Sequence, residues 1–520
     1  MSRAYYVTTP IYYANADPHI GSAYTFCVAD SLARWHRQAG LDTWLVTGTD
    51  EHGEKIAEAA AQRGLAPKLF ADEISARFRA TWDEVGLSVD RFVRTTEPDH
   101  VRNVKAILSK VHADGWIEKR DYEGLYCVGC ERFLMERDLV NGLCADHERA
   151  PEPRSESSYF FRMSREFGWL RRILEERPDF IRPERYRNEA LAMLRDESGL
   201  GDLSISRPKA RLDWGIELPF DPDYVCYVWF DALISYLTGA GYPDDPKFAA
   251  RWAGAEHVIG KDILKPHAIF WPIMLKAMGL DLPRHIHVHG YWTVEGKKMS
   301  KSLGNALSPL EVQTRYGFEP FRYVVLREMS FGLDADLREA AIVERINADL
   351  ANNLGNLVSR TLNLVERFCD GRIPEPAPDW RALVDTEIGP EPSSVPQQMV
   401  EQMDRVEIHR AVASVFELTG ALNRYFDRRA PWKAIKDPAT AIHAHTTLYT
   451  CCAGLRAVAV LLRPFMPKTG EEILTRLGVA AATPPVLDVR DPALWDAPLA
   501  GSRVTKGTPL FPRLEAIKPE

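Results

Sequence analysis

The chain has little cysteine for its length, no excess of positive charge, and no segment that reads as a membrane anchor or leader. Eight cysteines occur in 520 residues. Cys127, Cys130 and Cys144 cluster, Cys27, Cys226 and Cys369 stand alone, and Cys451 and Cys452 are adjacent. Such scatter excludes a disulfide framework and reads as a reduced protein with one candidate metal site. The formal net charge is −8. That argues against indiscriminate nucleic-acid binding, although a local basic patch can still meet RNA. No window reads as a membrane-spanning run of about 20 apolar residues. Met1 to Pro10 reads as a strand entering a turn and lacks the basic-then-apolar order of a signal peptide. Both absences point to the cytosol. Internal repeats and low-complexity blocks are missing too.

What is present is an ordinary globular composition, 45% hydrophobic and 27% charged. A chain of 520 residues exceeds one hydrophobic core, so two or three domains plus insertions are expected. Ala4 to Thr9 reads as a strand running into a polar loop. From Gly21 to Ala39 apolar residues recur at helical spacing. Thr43 to Thr47 reads as a second strand, ending at Gly48-Thr49-Asp50-Glu51-His52-Gly53, and another helix follows. Strand–helix alternation of this kind signals a parallel α/β sheet. The pattern breaks near residue 115, and Tyr122 to about Ser206 reads as an irregular, cysteine-bearing insertion. Sheet-like segments return at Tyr224–Trp229, His257–Gly260 and Ile286–His289. Beyond about residue 335 the pattern is helical, interrupted by a Pro-rich linker from Ile373 to Pro396 and ending in an extended tail.

Two loops carry candidate chemistry. Pro18-His19-Ile20-Gly21-Ser22 lies between the first strand and its helix. In open α/β sheets, ligands bind at the carboxyl ends of strands, and a helix start there offers N–H groups to phosphate. Gly21 lets backbone approach a ligand, and His19 can donate to a phosphate oxygen. Alone, the motif is equally a capped helix start with a surface histidine. Far downstream, Gly296 to Asn305 packs Lys297, Lys298 and Lys301, with Ser300 and Ser302, into one glycine-flanked loop. Mobile ammonium groups suit a triphosphate and its transition-state charge. Alone, such a charge run is more often a solvated basic turn.

Together the loops are more specific. His19-Ile20-Gly21 near one end and Lys298-Met299-Ser300-Lys301-Ser302 downstream, on either side of an interrupted α/β pattern, resemble the signatures of class I aminoacyl-tRNA synthetases. The first signature normally ends in histidine, where this chain has Ser22. The blocks Thr8 to Asn15, Thr47 to Gly53, Tyr227 to Ala232 and Gly260 to His267 resemble those of the methionyl-tRNA synthetase family, of the bacterial type with one zinc knuckle. The resemblance spans about residues 4 to 475.

It implies a Rossmann-like parallel-sheet catalytic domain with a zinc-knuckle insertion, followed by an all-α anticodon-binding bundle. The implied activity is ATP-dependent ligation of methionine to its tRNA through a methionyl-adenylate, with Mg²⁺ accompanying ATP. Catalysis falls to His19, Gly21, Ser22, Lys298 and Lys301. Pro10, Ile11, Tyr13, Trp229, Ala232, Leu233, Tyr236, Ile263 and His267 line the methionine pocket, and Asp50 holds its ammonium. A thioether suits such an apolar, aromatic slot. A weak donor from Tyr13, Tyr236 or His267 would aid discrimination. ATP meets His19, Gly21, Gly260, Asp262, Lys298, Met299, Ser300, Lys301 and Ser302.

Cys127-x2-Cys130 and Cys144-x2-His147 have the spacing of a four-ligand structural zinc site. Asn356 and Arg360 are four residues apart on one helical face, and Trp432 follows Pro431. By resemblance these three bind the anticodon, Trp432 by stacking. The expected division is 1–114 and 216–295 for the two catalytic halves, 115–215 for the insertion, 296–345 for the lysine loop and stem contact, 346–480 for the anticodon domain and 481–520 for the tail. A cytoplasmic monomer is expected, serving initiator and elongator tRNA alike. The competing readings are another class I synthetase and a catalytically weak tRNA-binding scaffold, the latter favoured only by Ser22.

Overall fold

The computed structural model describes residues 4–128, 132–134, 139–145, 149–196, 200–294, 297–298, 307–388, 391–479, 493–496 and 498–515. The chain divides into two compact units, one of Arg3–Thr25 with Thr43–His289, the other of Phe26–Asp42 with Gly290–Glu520.

The first unit is built on a six-stranded sheet. Its strands are β1 (Ala4–Tyr13), β2 (Asp42–Asp50), β3 (Arg91–Arg94), β4 (Ile181–Arg182), β5 (Ala255–Gly260) and β6 (His285–His289), in spatial order β3-β2-β1-β5-β6-β4. The pairs β2–β3, β1–β5, β5–β6 and β6–β4 are parallel. Parallel strands are covered on both faces and need near-continuous apolar sequence. Accordingly β5 and β6 are buried along their whole length. The core joins Tyr6, Val46, Ile259, Ile286 and Val288 of the strands to Leu233, Leu237 and Trp271 of the covering helices. The strand order reverses between β1 and β5, which makes their carboxyl ends the expected ligand crevice. Helix α1 (Ile20–Gln38) leaves β1 there and runs on into the second unit.

The insertion is less irregular than its sequence suggested. Leu203–Ser204, Glu152–Phe161, Ile117–Cys127 and Arg132–Leu134 form a four-stranded antiparallel sheet. Its long pair runs from Ile117 opposite Phe161 to Tyr126 opposite Glu152. Charged residues along both strands hide the alternation. Tyr224–Trp229 is also corrected. Strand Asp221–Cys226 belongs to a separate three-stranded antiparallel sheet, and Trp229 lies in α2 (Val228–Ala240).

In the second unit, Trp292–Val294 pairs antiparallel with Lys297–Lys298 and parallel with Ala335–Asp336. Helices follow, chiefly α3 (Asn356–Phe368), α4 (Ile408–Arg429) and α5 (Ala441–Leu462). The supposed Pro-rich linker contains helices Trp380–Glu387 and Glu391–Asp404. Helix α5 corrects the expectation that nothing is apolar enough to span a bilayer. It meets that test by length and composition, yet 94% of its most apolar window is buried inside the protein, the condition of a core helix. A buried ion pair ties this unit together. Arg322 meets Asp30, donates to Ser31 Oγ at 2.8 Å, and donates to the Pro464 carbonyl at 2.9 Å. Two of those partners come from α1 and one from the turn after α5.

Candidate active site

Three strand ends of the first unit bring the site residues together. After β1 the chain turns through Pro18 and begins α1. The His19 carbonyl accepts from Ala23 N–H at 3.1 Å and from the Ser22 hydroxyl at 2.7 Å, and Ser22 Oγ accepts from His19 N–H at 3.2 Å. Ser22 thus closes the helix start on itself and is buried. Its hydroxyl proton is given to the His19 carbonyl. His19 Nδ1 accepts from Gly21 N–H at 3.1 Å. The accepting nitrogen carries no proton, so neutral His19 is protonated on Nε2. A Cβ on Gly21 would lie 2.8 Å from His19 Cε1. Only glycine allows the imidazole to fold over the helix start.

β2 ends at Asp50, whose carbonyl accepts from Ala14 N–H at 2.9 Å. The next residues are pinned. Arg94 reaches the Glu51 carboxylate with Nε at 2.7 Å and a terminal nitrogen at 2.9 Å, and Thr96 adds a third bond at 2.5 Å. His52 Nδ1 meets Asp231 Oδ2 at 2.7 Å, while His100 Nε2 meets Asp231 Oδ1 at 2.6 Å. Asp231 lies in the first turn of α2, where the helix dipole favours an anion. Burial alone would raise its pKa, but the His52 and His100 imidazoles hold it below the usual carboxylate range. A buried carboxylate between two imidazoles therefore joins the loop after β2 to α2.

α2 carries Trp229 just before Asp231 and Ala232, Leu233 and Tyr236 after it. From β5 the chain passes Gly260 and Asp262 into a π-helical stretch, Pro266–Phe270, that carries His267. Such widened turns often occur at functional sites. The Tyr236 hydroxyl lies 2.7 Å from His267 Nε2, and His267 Nδ1 lies 2.8 Å from the Ile263 carbonyl. A carbonyl only accepts, so Nδ1 carries the proton and Nε2 accepts from Tyr236. Burial lowers the pKa of His267 to about 4, consistent with a neutral ring. Trp229 meets that ring edge-on with centroids 6.3 Å apart. Beneath Tyr236, at 4.4 Å, stacks His257, which accepts from Trp271 Nε1–H at 3.1 Å and reaches Thr8 Oγ1 at 2.8 Å. Burial also drives the His257 pKa well down. Burial first, then Tyr12 and the charge of Asp50, raise the pKa of Tyr236, so Asp50 acts electrostatically on this pocket.

The three residues expected as donors are placed as follows. Tyr236 and His267 spend their protons within the Tyr236–His267–Ile263 chain. Tyr13 instead offers its ring face to the Lys55 ammonium, 4.8 Å from the centroid. Pro10, Ile11 and Tyr13 are partly exposed at the end of β1, Ile263 is partly exposed beside His267, and Asp262 is exposed. Sequence reasoning assigned no role to His52, His100, Asp231 or His257. A polar residue inside an apolar run, such as Asp231 in Val228-Trp229-Phe230-Asp231-Ala232, was the available signal.

Of the lysine loop, Lys298 has its backbone in the short strand Lys297–Lys298, not in a loop. Met299, Ser300, Lys301 and Ser302 lie outside the described residues, as does the Lys298 side chain. Cys127 and Cys144 are both buried and pack together with Leu134 in a small cluster of their own. Cys130 and His147 lie outside the described residues. Among the described residues, no group of three or more His, Cys, Asp or Glu side chains is placed to hold a metal.

In the second unit, Asn356 and Arg360 share α3 as expected. Arg360 pairs with Asp427 at 2.5 Å, and its guanidinium lies over the rings of Phe426 at 4.5 Å and Trp432 at 5.5 Å. Trp432 is half-buried two residues after Ala430, a non-glycine residue at φ 42°. Such a conformation is costly and persists where surrounding structure enforces it.

A parallel sheet with a phosphate-suited helix start, a carboxylate and an aromatic pocket at one switch point is the layout of an enzyme that activates a small zwitterion with a nucleotide. Comparison with known proteins narrows the class. The family model "tRNA synthetases class I (M)" matches residues 5–150 and 135–362, and "Anticodon binding domain of methionyl tRNA ligase" matches residues 389–516. The methionine–tRNA ligase of Deinococcus radiodurans is 43% identical across 99% of this chain and 75% of its own length. That of Streptomyces coelicolor is 39% identical across 99% of this chain and 97% of its own. The methionyl-tRNA synthetase of Mycobacterium tuberculosis in complex with methionyl-adenylate superposes with TM-score 0.91 at 39% identity, covering 99% of this chain and all of that one. The chain belongs to the methionyl-tRNA synthetase family.

Proposed function

We propose that this chain joins methionine to ATP as methionyl-adenylate, releasing pyrophosphate, and then transfers methionine to the terminal ribose of tRNA(Met), releasing AMP. The observation that carries the residue assignment is the convergence of His19, Asp50 and the Tyr236–His267 pair at three strand ends of one unit. Methionine seats its thioether among Ile11, Tyr13, Trp229, Ala232, Leu233, Tyr236, Ile263 and His267, with Pro10 at the mouth. Asp50 takes the ammonium. The methionine carboxylate then attacks the α-phosphorus and the bond to pyrophosphate breaks. His19 Nε2–H donates to phosphate oxygen as charge develops, and the N–H groups at the start of α1, with Gly21, support the same oxygens. Gly260 and Asp262 hold the adenosine end. Lys298 and Lys301 neutralise departing pyrophosphate, with Met299, Ser300 and Ser302 also meeting ATP. Mg²⁺ bound with ATP supplies further charge neutralisation. No protein nucleophile is needed, so the rate comes from positioning and electrostatics. Ser22 holds the His19 turn.

Zinc at Cys127, Cys130, Cys144 and His147 is structural in this reading, supported by the close packing of the two described thiols. Anticodon bases meet Asn356, Arg360 and Trp432, so initiator and elongator tRNA are both substrates. The division at 1–114, 115–215, 216–295, 296–345, 346–480 and 481–520 follows these roles, and the protein acts as a cytoplasmic monomer. ATP–pyrophosphate exchange against a panel of amino acids tests the assignment. Exchange with methionine alone is expected, and exchange with none refutes it. Metal analysis of the purified chain should find one zinc, lost on Cys144→Ser.

A further inference from the structure

The carboxy-terminal segment looks in sequence like an idle extension, yet it is fastened to the helical unit on both sides of a short apolar stretch. Before that stretch, Arg476 donates to the Lys506 carbonyl at 2.8 Å and the Thr508 carbonyl at 2.6 Å. Lys506 N–H donates to Glu366 at 2.6 Å. After it, Leu514 and Asn347 exchange two hydrogen bonds, each of 2.9 Å. Pro509-Leu510-Phe511 is thereby held as a strap over the helix that leads into α3. Between strap and helix lies a cavity of about 360 Å³. Pro509, Leu510 and Phe511 form one wall, and Asn352, Asn356 and Ser359 form the other. Its floor is opened by Gly355, where a Cβ would lie only 3.0 Å from the Leu350 carbonyl.

The wall chemistry is that of a base site. Unstacked bases are bound by flat or apolar faces on one side and hydrogen-bonding edges on the other. Asparagine offers both a donor and an acceptor to a base edge. The volume sits at the small end for organic-ligand pockets, suited to one planar heterocycle. Asn352 and Asn356 are exposed at the rim, while Phe511 is buried beneath.

We propose that Pro509–Phe511 is part of the RNA-reading surface, walling a pocket that takes one unstacked base of the anticodon loop against Asn356. This rests on the assignment of Asn356, Arg360 and Trp432 to anticodon binding. The strap supplies the apolar face, and the asparagines supply the edge contacts.

The test uses the full chain. Leu510→Trp fills the cavity without removing a strap hydrogen bond, and Phe511→Leu removes its aromatic wall while keeping most of the buried apolar volume. Trp432→Ala serves as the reference. Each is assayed for charging of a tRNA(Met) transcript, for methionine-dependent ATP–pyrophosphate exchange without tRNA, and for melting temperature. The expected result is a KM for tRNA raised about tenfold in both strap variants, the size of one lost stacking partner, with exchange and melting unchanged. If Trp432→Ala raises that KM and neither strap variant does, the strap inference falls and the anticodon reading stands. If none of the three changes it, the anticodon reading itself falls. Parallel loss of exchange or melting temperature in both strap variants overturns the inference in favour of a purely structural strap.

Discussion

Gly21→Ala isolates the positioning of His19 from the stability of its helix. The new Cβ would lie 2.8 Å from His19 Cε1 and 3.0 Å from Nδ1, where ordinary contact begins at 3.4 Å. Relief requires the imidazole to move by several tenths of an ångström to about 1 Å. That movement is easy for the fold, because a side chain yields and not backbone. The helix itself gains, since alanine is favoured over glycine by up to about 1 kcal/mol. Catalysis should respond in the opposite direction. The ring loses its bond from Gly21 N–H, and a displacement approaching 1 Å at a catalytic donor costs on the order of 100-fold. The expected outcome is a 10- to 100-fold fall in the exchange rate with unchanged or slightly raised melting temperature. His19→Ala supplies the ceiling. If Gly21 acts through His19, the double variant is no slower than His19→Ala alone. A Gly21→Ala enzyme within about threefold of the parent, or a double variant slowed multiplicatively, would refute the reasoning.

Other consequences follow from the same geometry. Tyr236→Phe leaves His267 Nε2 without its donor, so the KM for methionine should rise on the order of tenfold while that for ATP holds; equal changes in both would remove Tyr236 from the pocket. Asp231→Asn weakens two charge-assisted bonds, at 2.7 and 2.6 Å, and should raise the methionine KM about tenfold through slackening of the Asp50 loop. An unchanged KM would make the His52–Asp231–His100 bridge purely structural. His267 and His285 are held near 4 by burial, and burial also drives His257 well below its ordinary value. Their unfolded forms titrate near 6.5, so the unfolded chain binds more protons between about 4 and 6.5. Stability is therefore full above about 6.5 and falls as pH drops toward 4, by about 3 kcal/mol for His267 alone. Melting temperatures that stay flat across that window would contradict it. Asp30→Asn strips the charge partner from buried Arg322 and should cost about 3–5 kcal/mol, read as early melting of the helical unit.

Much of this was legible in the chain. The parallel sheet could be read from the strand–helix alternation at β1 and β2, and β5 and β6 fell within a residue or two of their expected bounds, whereas the short, arginine-bearing β3 and β4 gave no signal. His19, Gly21 and Asp50 were expected near strand ends, and they stand just before α1, in its first turn and at the last residue of β2, where local sequence fixes local geometry. The inserted sheet escaped because its strands, such as Ile117-Glu118-Lys119-Arg120-Asp121, are charged and carry no period-two apolar signal. The hydrogen-bond direction between Tyr236 and His267 could not be inferred, since it depends on the Ile263 carbonyl placed by a π-helical turn. The bridge from His52 to Asp231 and His100 joins residues 179 and 131 positions apart, and only the fold sets such separations. The strap was missed for a different reason: Pro-rich sequence without periodicity reads as unstructured, yet it docks through backbone carbonyls whose partners, Arg476 and Asn347, lie elsewhere in the chain.

If Asp50 takes the substrate ammonium as proposed, the pocket also explains why histidines suit the site. A unit positive charge about 6 Å from Asp50 would offset its attraction for substrate by about 3 kcal/mol at an effective dielectric of 20. His257 and His267 avoid this by being buried, and burial is supplied by the aromatic packing of Tyr236, Trp271 and Trp229 around them. Neutrality then fixes the tautomers, because each ring must accept on one nitrogen and donate on the other. His267 accepts from Tyr236 and donates to Ile263; His257 accepts from Trp271 and donates to Thr8. The donors are thereby turned away from the slot, leaving a lining of ring faces and edges that favours a polarizable sulfur. Charge selection by Asp50 and shape selection by the aromatics are thus not separate devices. The packing that shapes the slot also keeps the imidazoles uncharged, so the carboxylate dominates the field.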